Sequence, residues 1–94
     1  MINEVRFSTE ALNDFKEAML WYAEIDAQLA GEFESEIEIA LNLIQKDPLI
    51  FQVIEGNTRR MILRRFPYGI FYLIDDGLII VTALMHHRRA PRIS

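Results

Sequence analysis

Cysteine is absent from this 94-residue chain. Its absence excludes a disulfide scaffold and a thiolate metal site, and it fits a reducing compartment, the cytoplasm. Glycine and proline are scarce, with four and three copies. They form no glycine-rich phosphate loop, and no flexible linker or low-complexity segment interrupts the chain. Only three serines occur, Ser8, Ser35 and Ser94, none within a nucleophile-elbow string. Long apolar runs are missing too. The longest near-apolar stretches, 70–74 and 78–85, are far too short to cross a bilayer as a helix. The start, Met1-Ile2-Asn3-Glu4-Val5-Arg6, lacks the basic-then-apolar order of a secretory signal. Histidine is limited to the neighbours His86 and His87. On a strand they point to opposite faces, and no cysteine or carboxylate cluster accompanies them, so neither a metal nor a cofactor is expected.

The remaining residues make a globular chain. Half are apolar, a quarter are charged, and the length suits one domain over 1–94 with a modest core. The formal charge of −4 conceals a division. Residues 1–57 hold three cations against twelve acids, a balance of −9, whereas residues 58–94 hold seven arginines against Asp75 and Asp76, a balance of +5. Lysine is confined to Lys16 and Lys46, so every cation of the second half is an arginine. Such asymmetry points to one basic working surface on an acidic body, or to acidic helices neutralising a cationic sheet.

Patterning gives the order β-α-α-β-β-β. Glu4-Val5-Arg6-Phe7 alternates as a short strand. Ser8 or Thr9 caps a helix over about 9–26, whose stripe is Leu12, Phe15, Met19 and Tyr22, widened by Ala11, Ala18 and Ile25. A second helix runs from Gln28 or Leu29 to Lys46 on the face Leu29, Phe33, Ile37, Ala40, Leu41 and Ile44, and stops at Asp47-Pro48. Residues 48–58 read as a loop, and strands follow over 60–66, 68–74 and 78–86. Asp75-Asp76-Gly77 supplies a type I′ hairpin turn. The continuous apolar run 78–86 reads as the most buried strand, and the tail over 88–94 as irregular. The expected fold class is α+β: an antiparallel sheet packed on one face by an N-terminal helical hairpin. The other face is left for a partner or substrate.

Several strings recur in order along the chain: Arg6-Phe7-Ser8 then Ala11; Trp21-Tyr22; Gly31-Glu32-Phe33; Pro48 with Phe51; Arg59-Arg60; Arg64-Arg65-Phe66-Pro67-Tyr68-Gly69-Ile70-Phe71-Tyr72; and His86, Arg89 and Pro91. In these the chain resembles the RelE/ParE superfamily, over nearly its whole length. The resemblance implies the toxin of a type II toxin–antitoxin module, associated with plasmid stabilization and growth inhibition. Its partner would be a cognate antitoxin, through which the complex reaches operator DNA. RelE-like relatives cut mRNA on the ribosome without a metal; ParE-like relatives poison DNA gyrase and do not cut.

Metal-free RNA cleavage requires a base, an acid and cations that stabilise developing charge. Here both lysines lie on the helices, no tyrosine follows Tyr72, and arginine is a poor base. A nuclease would depend on His86 with Arg65 and Arg89. The alternative reading makes His86 a strand-end residue and leaves no catalytic residue favoured. Arg60, Arg64, Arg65, Arg88 and Arg89 suit carboxylates or phosphates equally well. Alternation through the strand places Arg60 and Arg64 on one face, and Arg59 and Arg65 on the other. Trp21 lies off the main stripe and is expected at an interface. The leading expectation is the ParE-like branch, a docking protein. A RelE-like nuclease and a non-toxic regulatory relative are the alternatives.

Overall fold

The computed structural model describes residues 4–87. Seven elements follow one another: β1 (Glu4–Phe7), α1 (Thr9–Ile25), α2 (Ala27–Lys46), β2 (Gln52–Glu55), β3 (Thr58–Ile62), β4 (Tyr68–Asp75) and β5 (Leu78–His86). Ser8 sets the start of α1. Its backbone is extended, and its hydroxyl oxygen accepts the Ala11 N–H at 3.0 Å, satisfying a donor the helix itself leaves unpaired. The same hydroxyl donates to the Thr82 carbonyl at 3.3 Å, which fastens the cap to β5. Asp26 makes the hairpin. It ends α1 in an extended conformation, and its carboxylate accepts the Gln28 N–H at 3.0 Å to open α2.

The five strands lie in the order β1-β5-β4-β3-β2. From β2 to β5 they form an antiparallel meander. The all-antiparallel expectation needs one correction, since β1 pairs with β5 in parallel. Three hairpin reversals make β5 run opposite to β2. The helical excursion hands the chain to β2 reversed relative to β1, so β1 and β5 share a direction.

The segment read as a loop over 48–58 holds a further strand, β2, at the sheet edge. It is exposed along its whole length and its register slips between Val53 and Glu55, so it carries no burial alternation. The turn at Asp76 and Gly77 has φ of 51° and 79°, the two positive angles a type I′ turn requires.

Burial also reassigns the innermost strand. It is β4, at the centre of the sheet, rather than β5, which alternates buried with half-buried positions. Register assigns the two faces. Tyr68, Ile70 and Tyr72 of β4 join Ile79, Val81 and Leu84 of β5 and Met61 of β3 beneath the helices. Ala11, Ala18, Tyr22, Phe33, Ile37, Ala40 and Ile44 cover them. Tyr22, Phe33 and Phe66 close a ring of aromatic contacts with centroids 5.0–5.1 Å apart, and Tyr68 adds a 5.4 Å contact to Phe33. The edge-on pairs among them, Tyr22–Phe66 and Phe33–Phe66, each contribute about 0.5–1.5 kcal/mol beyond area burial. Leu12 and Ile25, expected in the buried stripe, are exposed instead. The small residues Ala11 and Ala18 let α1 approach the sheet along a slightly rotated face. Among the described residues no helix is long and apolar enough to cross a membrane.

Candidate functional site

The arginines of the sheet meet four different fates. Arg59 shares a face with Tyr72, its cross-strand partner, and is used internally. Its Nη1 donates to the carbonyls of Phe51 at 2.7 Å and Leu49 at 3.0 Å, holding the segment that leads into β2. The Tyr72 hydroxyl donates to the Pro48 carbonyl at 2.7 Å in the same place. Burial pushes the Tyr72 phenol up to about 12; Arg59 opposes the shift and Asp47 reinforces it. Tyr72 is thus a neutral hydrogen-bond donor near pH 7.

Arg60 lies on the opposite, helix-free face across from Phe71. Its aliphatic stem covers Gly69, where a Cβ would lie 3.3 Å from Arg60 Cγ and Cδ. Glycine is needed here so that the stem can lie flat. Arg60 makes no ion pair with a described residue.

Arg64 does not share that face. The strand ends at Ile62, so alternation does not reach residue 64, and the turn swings Arg64 toward α2. There it lines a groove of about 360 Å³ with Glu36, Ile39, Ala40 and Leu43 of α2 and with Met61 and Leu63. Arg65 is anchored across the same junction. Its Nη2 donates to Glu32 at 2.9 Å, its backbone N–H donates to Glu36 at 2.8 Å, and its guanidinium carbon lies 5.8 Å from the Phe66 ring centre.

His86 pairs with Tyr68 across β5 and β4, and the rings meet edge-on at 5.1 Å. That register places it on the helix side of the sheet, away from Arg60. The His87 N–H donates to the Pro67 carbonyl at 2.8 Å. Arg65 and His86 thus flank the same end of the sheet, with the Arg65 guanidinium directed to Glu32. Arg88 and Arg89 lie outside the described residues, and Arg89 therefore joins no described constellation. Trp21 is 53% exposed on α1, beside Leu20 and Ile25, which are also exposed. Among the described residues no three metal-ligating side chains converge.

The groove beside Arg64 escaped the sequence reading. Ile39 and Leu43 are exposed and lie on the flank of the buried face, outside the stripe that the helical period marks. Their i, i+4 spacing behind Glu32 and Glu36 was the available signal.

A family model described as the ParE toxin of a type II toxin–antitoxin system, parDE, matches residues 5–91. No curated protein matches the chain significantly. Among solved structures, the fold is similar to a chain of the chromosomal ParDE system from P. aeruginosa, with TM-score 0.79 at 12% identity over 90% of this chain and 96% of that one. It is also similar to a chain of the RelBE2 toxin–antitoxin complex from Mycobacterium tuberculosis, with TM-score 0.60 at 21% identity over 92% and 99%. A chain of the archaeal RelE–RelB complex from Pyrococcus horikoshii OT3 gives TM-score 0.56 at 14% identity over 96% and 100%.

Proposed function

The chain belongs to the ParE toxin family of type II toxin–antitoxin systems, and from that premise we propose that it arrests growth in the cytoplasm by docking on a protein target, with DNA gyrase the first candidate, until a cognate antitoxin covers it. The observation that carries the docking reading is the position of His86. It packs against Tyr68 on the helix side, while the unengaged Arg60 lies on the other face. A residue that moves protons needs a cation beside it to stabilise the charge it creates, and among the described residues the cation at the His86 end of the sheet, Arg65, is engaged by Glu32. The described helix-free face offers Arg60 and Phe71 for binding and pairs its other arginine, Arg6, with Glu4 at 2.8 Å.

The partner is an antitoxin, in keeping with the complexes to which the fold is similar. Exposed Trp21 and Arg64 and half-buried Arg60 supply anchors of the types enriched at binding hot spots, and Arg88 and Arg89, outside the described residues, are proposed as further anchors. Operator DNA is reached through the antitoxin, not through this acidic chain.

The test is a supercoiling assay with purified gyrase and relaxed plasmid. The chain inhibits supercoiling, and Arg60→Ala weakens the inhibition at least tenfold with an unchanged melting temperature. Unaltered supercoiling, with ribosome-dependent cleavage of mRNA instead, would establish the nuclease reading.

A further inference from the structure

The outermost strand carries few of the guards that edge strands ordinarily have. β2 has β3 on one side and no described strand on the other. The Leu63 N–H donates to the Tyr68 carbonyl, so odd-numbered residues of β3 turn their backbone groups toward β4 and even-numbered ones toward β2. Arg60 and Thr58 therefore hold Gln52 and Glu55. Val53 stands opposite Arg59, whose backbone serves β4, and Ile54 is the extra residue of the bulge. The backbone groups of Val53 and Ile54 thus turn to the open side. Their side chains are exposed, and Leu49 and Ile50 just before the strand are 65% and 66% exposed. Residues 49–54 include no charge and no proline. Lysine, proline, inward charges and bulges are what keep an edge from pairing, and only the bulge is present here. Leu49, Val53 and Ile74 wall a hollow of about 370 Å³ with Gly56 and Asn57 at its rim. Arg59 makes the hollow rigid by donating to the Leu49 and Phe51 carbonyls.

We infer that this edge pairs with the same edge of a second copy of the chain, β2 against β2 in antiparallel order, across a twofold axis at Val53. An antiparallel edge is complementary to itself, because the axis sets each outward N–H against an outward C=O. The register then fixes the neighbours. Glu55 meets the second copy's Phe51, so the two Glu55 carboxylates stay four residues apart, about 13 Å, and are screened from each other at ordinary salt. Continued past the strand, the register brings the second copy's Ile50 and Leu49 to Gly56 and Asn57, at the rim of the hollow. Aliphatic side chains therefore meet an apolar hollow twice, once on each side of the axis. A charged segment would find no counter-charge along residues 49–54, which selects an uncharged occupant, and this stretch is itself uncharged. Its few side chains cover less than the ~800 Å² per partner of a stable interface, so the dimer is weak, with a Kd on the order of 100 μM. The contact is independent of the toxin reading and uses neither Arg60 nor the flank of α2.

Sedimentation of the purified full chain between ~5 and ~500 μM reads the equilibrium, and amide exchange at the two ends of that range locates the contact. The chain passes from monomer to dimer across the range, and the Val53 and Ile54 amides gain protection at the upper end. Val53→Lys and Ile50→Lys each weaken association at least tenfold. Leu20→Lys, at a leucine of α1 that is 65% exposed, changes it less than twofold. All three variants keep the wild-type circular dichroism, as expected for exposed positions. Salt tightens the dimer, because each copy carries a formal charge of −4. A chain that stays monomeric throughout overturns the inference. So does a dimer that ignores Val53→Lys and Ile50→Lys, or one that salt dissociates, which would mark pairing of acidic helices with sheet arginines instead. Protection of Val53 and Ile54 that requires the protein encoded beside the gene gives this edge to the antitoxin and likewise overturns it.

Discussion

Single side chains hold this fold where its layers meet. Ser8 caps α1 and bonds β5 with the same hydroxyl, so Ser8→Ala should cost about 1–2 kcal/mol, the upper part of the range for a lost cap, as read by urea denaturation. Glu32 and Glu36 both reach the turn before β4, but they do different work. Glu32 makes an exposed ion pair, worth ~0–1 kcal/mol. Glu36 satisfies a backbone N–H, and Glu36→Ala should cost about 1.5 kcal/mol, exceeding Glu32→Ala in the same assay. Tyr72 links stability to alkaline pH. Its phenol is held neutral by burial, with a folded value of about 12 against 10.0 for the free side chain. A raised value means that this stabilisation is complete below pH 10 and is lost as pH rises through 12. Thermal melts of Tyr72→Phe should therefore lie below wild type at pH 7, by about 1 kcal/mol for the lost bond to Pro48, and the two should converge above pH 10.

Elements differ in how plainly the sequence announces them. Both helices and β5 are legible because each has a long periodic or apolar run with a chemical stop: Ser8 and Asp26 as caps, Asp47-Pro48 as the terminator, Asp76-Gly77 as the turn. β2 is illegible for a physical reason. A short edge strand exposed on both faces has no alternation to read. The placement of Arg64 failed likewise, because strand parity holds only while the strand lasts and β3 ends two residues earlier. The parallel pairing of β1 follows from topology, which local patterning does not encode. Of the candidate site, the separation of Arg60 from Arg59 onto opposite faces and Trp21 at the surface were foreseeable, whereas which arginine meets the open face, and the trough of Ile39 and Leu43, depend on how the helices pack against the sheet. Gly69 tests the open face. In Gly69→Ala the new methyl must push the flexible Arg60 stem off the sheet. Toxicity should fall several-fold in a growth assay while stability stays within about 1 kcal/mol, since the yielding neighbour is a mobile side chain.

Across the whole molecule the charge division becomes an arrangement of use. Among the described residues, one ion pair, Arg65–Glu32, joins the acidic helices to the cationic sheet. Arg59 serves carbonyls, while Arg60 and Arg64 remain for partners on two different surfaces. Binding of an antitoxin to a largely apolar surface should weaken less than tenfold between ~50 and ~200 mM salt, far below the ~10³–10⁵ loss expected of multiple phosphate contacts. Docking without cleavage is tested most directly by transcript integrity during growth arrest, followed by primer extension on ribosome-bound mRNA after induction of the chain alone. Arrest with full-length transcripts is the predicted result. Arrest with transcripts cut within reading frames, and restored to full length by His86→Ala, would contradict it.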